Sequence, residues 1–293
     1  VGNLRFFLLV FGMLAIMVLG SKWWEVNYAL LAAVIWLGGN LLVDVVLRSM
    51  KAGEGKSPMN LFQPMKVGET RYLIFLLLMS GFWTSFNQIF MTLPEYIRDY
   101  GQTQDLIQSL GGTARWVTGV FGNMGFDTSE WGKAVLENGQ VKPEHLINLN
   151  AFGIICFQVL ISFFMRKTSP LVSIIAGVFV TIASFGLYLV GMSGWIVVSA
   201  ILVFSVGEMM ASPRSKEYAG RIAPPEKVGM YMGYFYWCVA LGNLFGGLLS
   251  GVSYEHFGPQ GINRPDLMWI LFAALAGITA VSLVVYNRWV TAR

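Results

Sequence analysis

Glu208 lies inside the apolar run ILVFSVGEMMASP, and it is the chain's strongest candidate for chemistry. An acid near the centre of a bilayer costs at least about 2.5–3.5 kcal/mol to insert, so it must face a wet cavity, meet a partner or carry a proton. Ser205, Glu208 and Ser212 are spaced i, i+3, i+7 and share one helix face. That face either lines a cavity or sits close enough to the interface for Glu208 to reach water or Arg214. A second polar face comes from SGFWTSFNQIFMTLP, where Ser80, Thr84, Asn87, Gln88 and Met91 recur at helical spacing. Such amides either bond a neighbouring helix or line a polar path. Asn148 and Asn150 open a third segment that later carries Gln158 and Ser162, with Asn150 the deeper of the two asparagines. The run Tyr234, Phe235, Tyr236 and Trp237 covers every side of a helix, so one ring must turn inward, to pack in a core or on an apolar solute group. Asp44 stands four residues before Arg48, the spacing of an ion pair that snorkels to the interface.

Other chemistries find no residues. His145 and His256 stand apart from any HExxH pattern, and the chain contains no GxxxxGK[ST], GxSxG or CxxC. Cys156 and Cys238 both fall in apolar segments, which gives neither a disulfide framework nor a zinc cluster. The expectation is a protein that is not an enzyme and takes no cofactor or metal.

The elements that must hold these residues are set by composition. The chain is 55% hydrophobic and 12% charged, against about 25% charged in a soluble domain, so it is polytopic. Eight stretches reach the roughly 17–25 residues that a crossing helix needs: about 4–19, 28–47, 72–94, 146–165, 171–190, 195–212, 228–252 and 267–286. Pro94, Pro170 and Pro213 mark helix edges. With both termini cytoplasmic, fourteen of the 20 Lys and Arg residues fall inside and six outside, in the sense of the positive-inside rule. The net charge of +4 is then a topology signal, with no nucleic-acid partner implied. Residues 1–47 form a two-helix hairpin, 48–71 a cytoplasmic linker and 72–293 a six-helix bundle. Within the bundle, 95–145 is a large extracytoplasmic loop carrying a helix from Asp127, through a capping-box-like Asp127 and Glu130, to Gly139. Val1 is followed by no cleavable leader pattern, so the sequence reads as the later part of a longer protein.

Three blocks carry a family resemblance. GFWTSFNQ (Gly81 to Gln88) is similar to the FWxxFEQ of the seventh helix of proton-coupled oligopeptide transporters, within the major facilitator superfamily. HLINLNAFGIICF (His145 to Phe157) resembles the eighth-helix segment around an Asn-Pro pair. Val206 to Asn243 resembles the tenth and eleventh helices, with GExxxSP, LAP and MG…GN landmarks. The resemblance implies an all-α transmembrane C-terminal six-helix bundle and proton-coupled uptake of small peptides. It further implies that Glu208 meets a peptide amino terminus and that Asn150 and Phe235 line the cavity. Joined with the polar faces above, the expected substrate-binding set is Glu208, Asn150, Asn87, Gln88, Trp83, Ser212 and Phe235. Glu208, as the acid well inside a helix of the six-helix unit, is the candidate for coupling protons. Ala151 replaces the family's proline. Asn87 replaces a family acid implicated in coupling, which keeps open a carrier of another solute, such as a nucleoside, sugar or drug. A receptor or assembly subunit that uses the long outer loop is the third reading. The first two helices match either an inserted hairpin between two six-helix halves or the last two helices of the first half. Implied partners are the solute, protons, lipid and the missing N-terminal half, in a plasma membrane of the bacterial inner type.

Overall fold

In the computed structural model the described residues are 4–23, 26–50, 70–125, 127, 135 and 139–291. They form helices α1 (Leu4–Trp23), α2 (Val26–Ser49), α3 (Thr70–Phe86), α4 (Gln88–Met91), α5 (Leu93–Tyr100), α6 (Gln104–Asn123), α7 (Pro143–Met165), α8 (Pro170–Leu187), α9 (Gly194–Ile222), α10 (Val228–Phe257) and α11 (Pro265–Thr291). The chain divides into two compact units, residues 1–70 and 71–293. Six helices of the second unit are long and apolar enough to cross a membrane, α3 to α5 counting as one.

Within the first unit, α1 and α2 form a hairpin. Trp36 donates its indole N–H to Leu9 O at 3.0 Å, and its ring fills the space over Gly12, where a Cβ would come within 2.6 Å of it. Asp44 pairs with Arg5 across the hairpin at 3.7 Å, both side chains buried; the expected pairing with Arg48 involves a side chain outside those described. Arg5 also donates to Asn40 O at 2.9 Å. The linker drawn at 48–71 lies mostly outside the described residues.

In the second unit, two of the three proline boundaries move. Pro170 starts α8 as expected, but Pro94 is the second residue of α5, where a missing N–H is tolerated. Pro213 lies inside α9, which runs on to Ile222. A proline there frees the carbonyl four residues earlier. That carbonyl, Met209 O, has Gln158 Nε2 at 3.5 Å, so a neighbouring helix covers the break. At 29 residues, α9 is about 43 Å long and overshoots a hydrocarbon layer of about 30 Å. Its polar end is fastened by Arg214, which donates to Met165 O at 2.5 Å and pairs with Glu217 at 2.6 Å.

The tightest approach is between α8 and α9. A Cβ at Gly177 would stand 2.7 Å from Gly207 O, and one at Gly207 would stand 2.8 Å from Gly177 O. Of the small-residue pairs in α10, only Gly242 and Gly246 meet another helix closely, lying against Trp83 and Thr84 of α3; Gly229, Gly233 and Gly251 have nothing within 4 Å. At one end of the bundle Tyr72 donates to Tyr231 O and Tyr286 to Arg71 O, at 2.5 and 3.0 Å, while the Tyr218 and Tyr286 hydroxyls meet at 3.1 Å. These bonds tie α3 to α10 and α11, and α9 to α11.

Between α5 and α7 the chain makes a helix earlier than expected. The stretch from Asp127 to Gly139 lies largely outside the described residues, but α6 supplies 20 helical residues ahead of it. Asp105 fixes its start: the carboxylate accepts from Ser193 Oγ at 2.5 Å and from Gly194 N–H at 3.1 Å. It thus satisfies donors at the start of α9, where a negative charge also suits the helix dipole. Asp105→Ala should therefore loosen the first turns of α6, seen as faster amide exchange over 104–110, with thermal stability of the bundle lowered by about 1 kcal/mol. Unchanged exchange there would show that Leu106, buried against Gly194, holds the helix without the carboxylate.

Candidate functional site

Glu208 and Asn150 are brought together. Asn150 is buried on α7, and its Nδ2 donates to Glu208 Oε2 of α9 at 3.0 Å. On its other side Asn150 Oδ1 lies 2.7 Å from Ser205 Oγ, whose hydroxyl is also 2.8 Å from Ile201 O. A carboxylate only accepts, so the NH2 group is the end that faces an ionised Glu208. Gly153 of α7 faces Ser205 of α9, 3.5 Å from where a Cβ would sit, an ordinary van der Waals approach. Glu208 itself stays partly exposed, so one carboxylate oxygen is held by the protein and the group still has an open side. Arg214 is committed to Glu217 and Met165, which removes it as the partner of Glu208. Ser212 is half-buried on the same helix face, and its carbonyl accepts from Ser215.

The amides of the first crossing segment form a separate cluster. Asn87 Nδ2 donates to Asn243 Oδ1 at 2.6 Å. Gln88 is fully buried, and its Nε2 donates to Thr84 O and Gly246 O at 2.9 and 3.0 Å. Its Oε1 accepts from Thr92 Oγ1 at 2.6 Å, and that hydroxyl lies 2.8 Å from Ser250 Oγ. Among the described residues, no hydrogen bond links this cluster to Glu208. Trp83 is 9% exposed, packs edge-on against Phe82 and Phe86, and has an indole N–H without a partner among the described residues. Phe235 is wholly enclosed. Sequence reasoning placed Ser205 on the Glu208 face without its role toward Asn150, and it missed Asn243 as the partner of Asn87. The GN landmark was the only available signal for Asn243. Among the described residues no group of three or more His, Cys, Asp or Glu side chains is placed to hold a metal.

No protein-family model matches the chain. In sequence it is similar to the uncharacterized MFS-type transporter YttB of Bacillus subtilis (strain 168), 27% identical over 130 residues, which cover 44% of this chain and 33% of the relative. It is similar also to YqjV of the same strain, again an uncharacterized MFS-type transporter, 28% identical over 149 residues, 51% of this chain and 35% of the relative. The matches thus span about a third of these relatives' length. Among solved structures, a crystal structure of peptide transporter POT (E310Q mutant) superposes with a TM-score of 0.59 at 15% identity, covering 94% of this chain and 49% of the other. The in meso structure of the POT family transporter PepTSo gives 0.58 at 18% identity, covering 100% and 55%. The protein is an integral membrane protein with the fold of a major facilitator superfamily transporter half, resembling the proton-coupled oligopeptide transporters.

Proposed function

We propose that the chain is part of a secondary active transporter that moves a small solute by rocking two halves about a central site, with Glu208 in the wall of that site. The observation that carries this reading is the Glu208 to Asn150 bond, an acid inside a crossing helix with one oxygen held and an open side left to a ligand. The solute class we infer is small peptides taken up with protons, the reading supported by the fold shared with peptide transporters. An ionised Glu208 grips the peptide ammonium and a protonated one releases it, which links solute to proton. Asn150 orients that carboxylate. Trp83, Gln88, Asn87 and Phe235 stand as the packed layer, and Ser212 extends the Glu208 face. The missing half closes the site. In this reading both termini face the cytoplasm of a bacterial inner membrane, an orientation supported by the fourteen-to-six distribution of Lys and Arg.

A second reading, a major facilitator carrier for an uncharged or differently charged solute, is favoured by one observation. Asn87, where the resemblance would put an acid, is a neutral amide already paired with Asn243. Transport in vesicles by the full-length protein separates the two. Glu208→Gln should preserve folding and insertion, since it keeps the shape and removes a charge, yet weaken binding of a free dipeptide at least about tenfold, or roughly 1.4 kcal/mol. The N-acetylated dipeptide should lose much less. Equal loss for both, or loss for neither, takes Glu208 out of amine recognition and leaves the second reading.

A further inference from the structure

Helix α6 is amphipathic. Leu106, Leu110, Trp116, Val117, Val120 and Phe121 fall on one half of the helical surface, interrupted by Ser109 and Thr113, and Gln104, Gln108, Arg115, Gly119 and Asn123 on the other. Within the apolar half Leu106 is buried and Val117 half-buried, whereas Leu110 is 44%, Trp116 69% and Val120 37% exposed among the described residues. Its hydropathy does not bring it among the crossing helices.

The position of its first turn is fixed by the bundle. Both α8 and α9 cross the membrane, so the turn that joins them, residues 188–193, lies at a membrane face. Asp105 holds α6 to the end of that turn and to the first residue of α9, and Gln102 adds two backbone bonds to the same place, to Met192 O and from Gly194 N–H, at 2.8 and 3.0 Å. Trp195, in the first turn of α9 and 44% exposed, donates its indole N–H to Ser109 Oγ at 3.2 Å. Ser109 falls on the helix wheel between Trp116 and Val120, at the edge of the apolar half. The exposed ring of Trp195 on α9 therefore stands beside the apolar half of α6. Trp residues with one polar end and an apolar ring belong at headgroup depth, and an amphipathic helix with a basic residue on its polar side lies in that plane.

We propose that α6 is an interfacial helix, lying along the membrane face with its apolar half in the lipid headgroup and upper acyl region. About 30 Å long, it extends the protein's footprint on that face beyond the crossing helices.

The test uses the full-length protein in phospholipid vesicles with Cys156 and Cys238 replaced by alanine. One nitroxide at a time is attached through Leu110→Cys, Val117→Cys, Val120→Cys, Gln108→Cys or Arg115→Cys. Collision with oxygen, which concentrates in the bilayer, is compared with collision with a water-soluble nickel chelate. At the first three positions the oxygen-to-nickel ratio should exceed that at Gln108 and Arg115 several-fold. Nickel access at all five positions would overturn the proposal in favour of a solvated helix. Shielding from both reagents at the first three would overturn it in favour of a covering protein surface.

Discussion

Gly207→Val should leave no stably folded bundle. A Cβ at this position would stand 2.8 Å from Gly177 O, 2.6 Å from Thr181 Oγ1 and 3.1 Å from Thr181 N, while one at Gly177 would meet Ala211 Cβ at 2.9 Å. The opposing atoms include backbone, which cannot rotate away. Relief would require α8 and α9 to separate along their whole contact. Overpacking of a close-fitted core costs about 1–3 kcal/mol and occasionally more, and a branched side chain at a backbone-to-backbone contact belongs at or above the top of that range. Thermal scanning of purified protein, together with the monodisperse yield from membranes, measures the loss. Gly233→Ala and Gly251→Ala are the controls. Neither has an atom within 4 Å of the added methyl, and alanine favours the helix by up to about 1 kcal/mol relative to glycine. If Gly207→Val matched these controls, the α8 to α9 contact would not be what holds the bundle.

Gln88→Ala should lower stability by about 2 kcal/mol and leave solute affinity per folded molecule within about twofold. The estimate follows from the cost of stranding buried polar partners: Gly246 O loses a donor and Thr92 Oγ1 loses its acceptor. Hydrogen bonds between membrane helices average only about 0.6 kcal/mol in double-mutant measurements, so the cavity left by the side chain supplies much of the rest. Unfolding scans and equilibrium solute binding on the same preparation separate the two quantities. Lost affinity at unchanged stability would place Gln88 in contact with solute rather than between α3 and α10.

Six of the eight expected crossing segments, and the place of Glu208 inside one of them, were readable from the sequence because both rest on one-dimensional signals. Length and hydropathy define a span, and an acid within one stands out. Proline proved a poorer guide. Pro94 and Pro213 look like stops, but a stop is needed only where the freed carbonyl lacks a donor, and Gln158 on another helix approaches Met209 O. The glycines of α10 fail for a related reason. Their spacing is the same in all three pairs, and only Gly242 and Gly246 face α3. Which glycine pair is used depends on helix rotation, and the low contrast between the sides of an all-apolar helix leaves rotation unspecified. Polar faces share this ambiguity: Asn150 and Gln88 are both amides in crossing segments, yet one turns to Glu208 and the other closes on a backbone carbonyl. Asp44 illustrates the limit most plainly, since the sequence offers Arg48 at ideal spacing and the fold also brings Arg5 from the neighbouring helix.

During synthesis α1 is complete before α2 exists, and Arg5 then has neither Asp44 nor the Asn40 carbonyl that it meets in the finished hairpin. A lone guanidinium near a helix end can snorkel, but it resists burial. The acid that neutralises it arrives almost 40 residues later, near the far end of α2. Each helix thus supplies the other's counter-charge, and the buried charges are balanced only in the pair. The hairpin, rather than either single helix, is the smallest piece of this unit that is electrostatically complete.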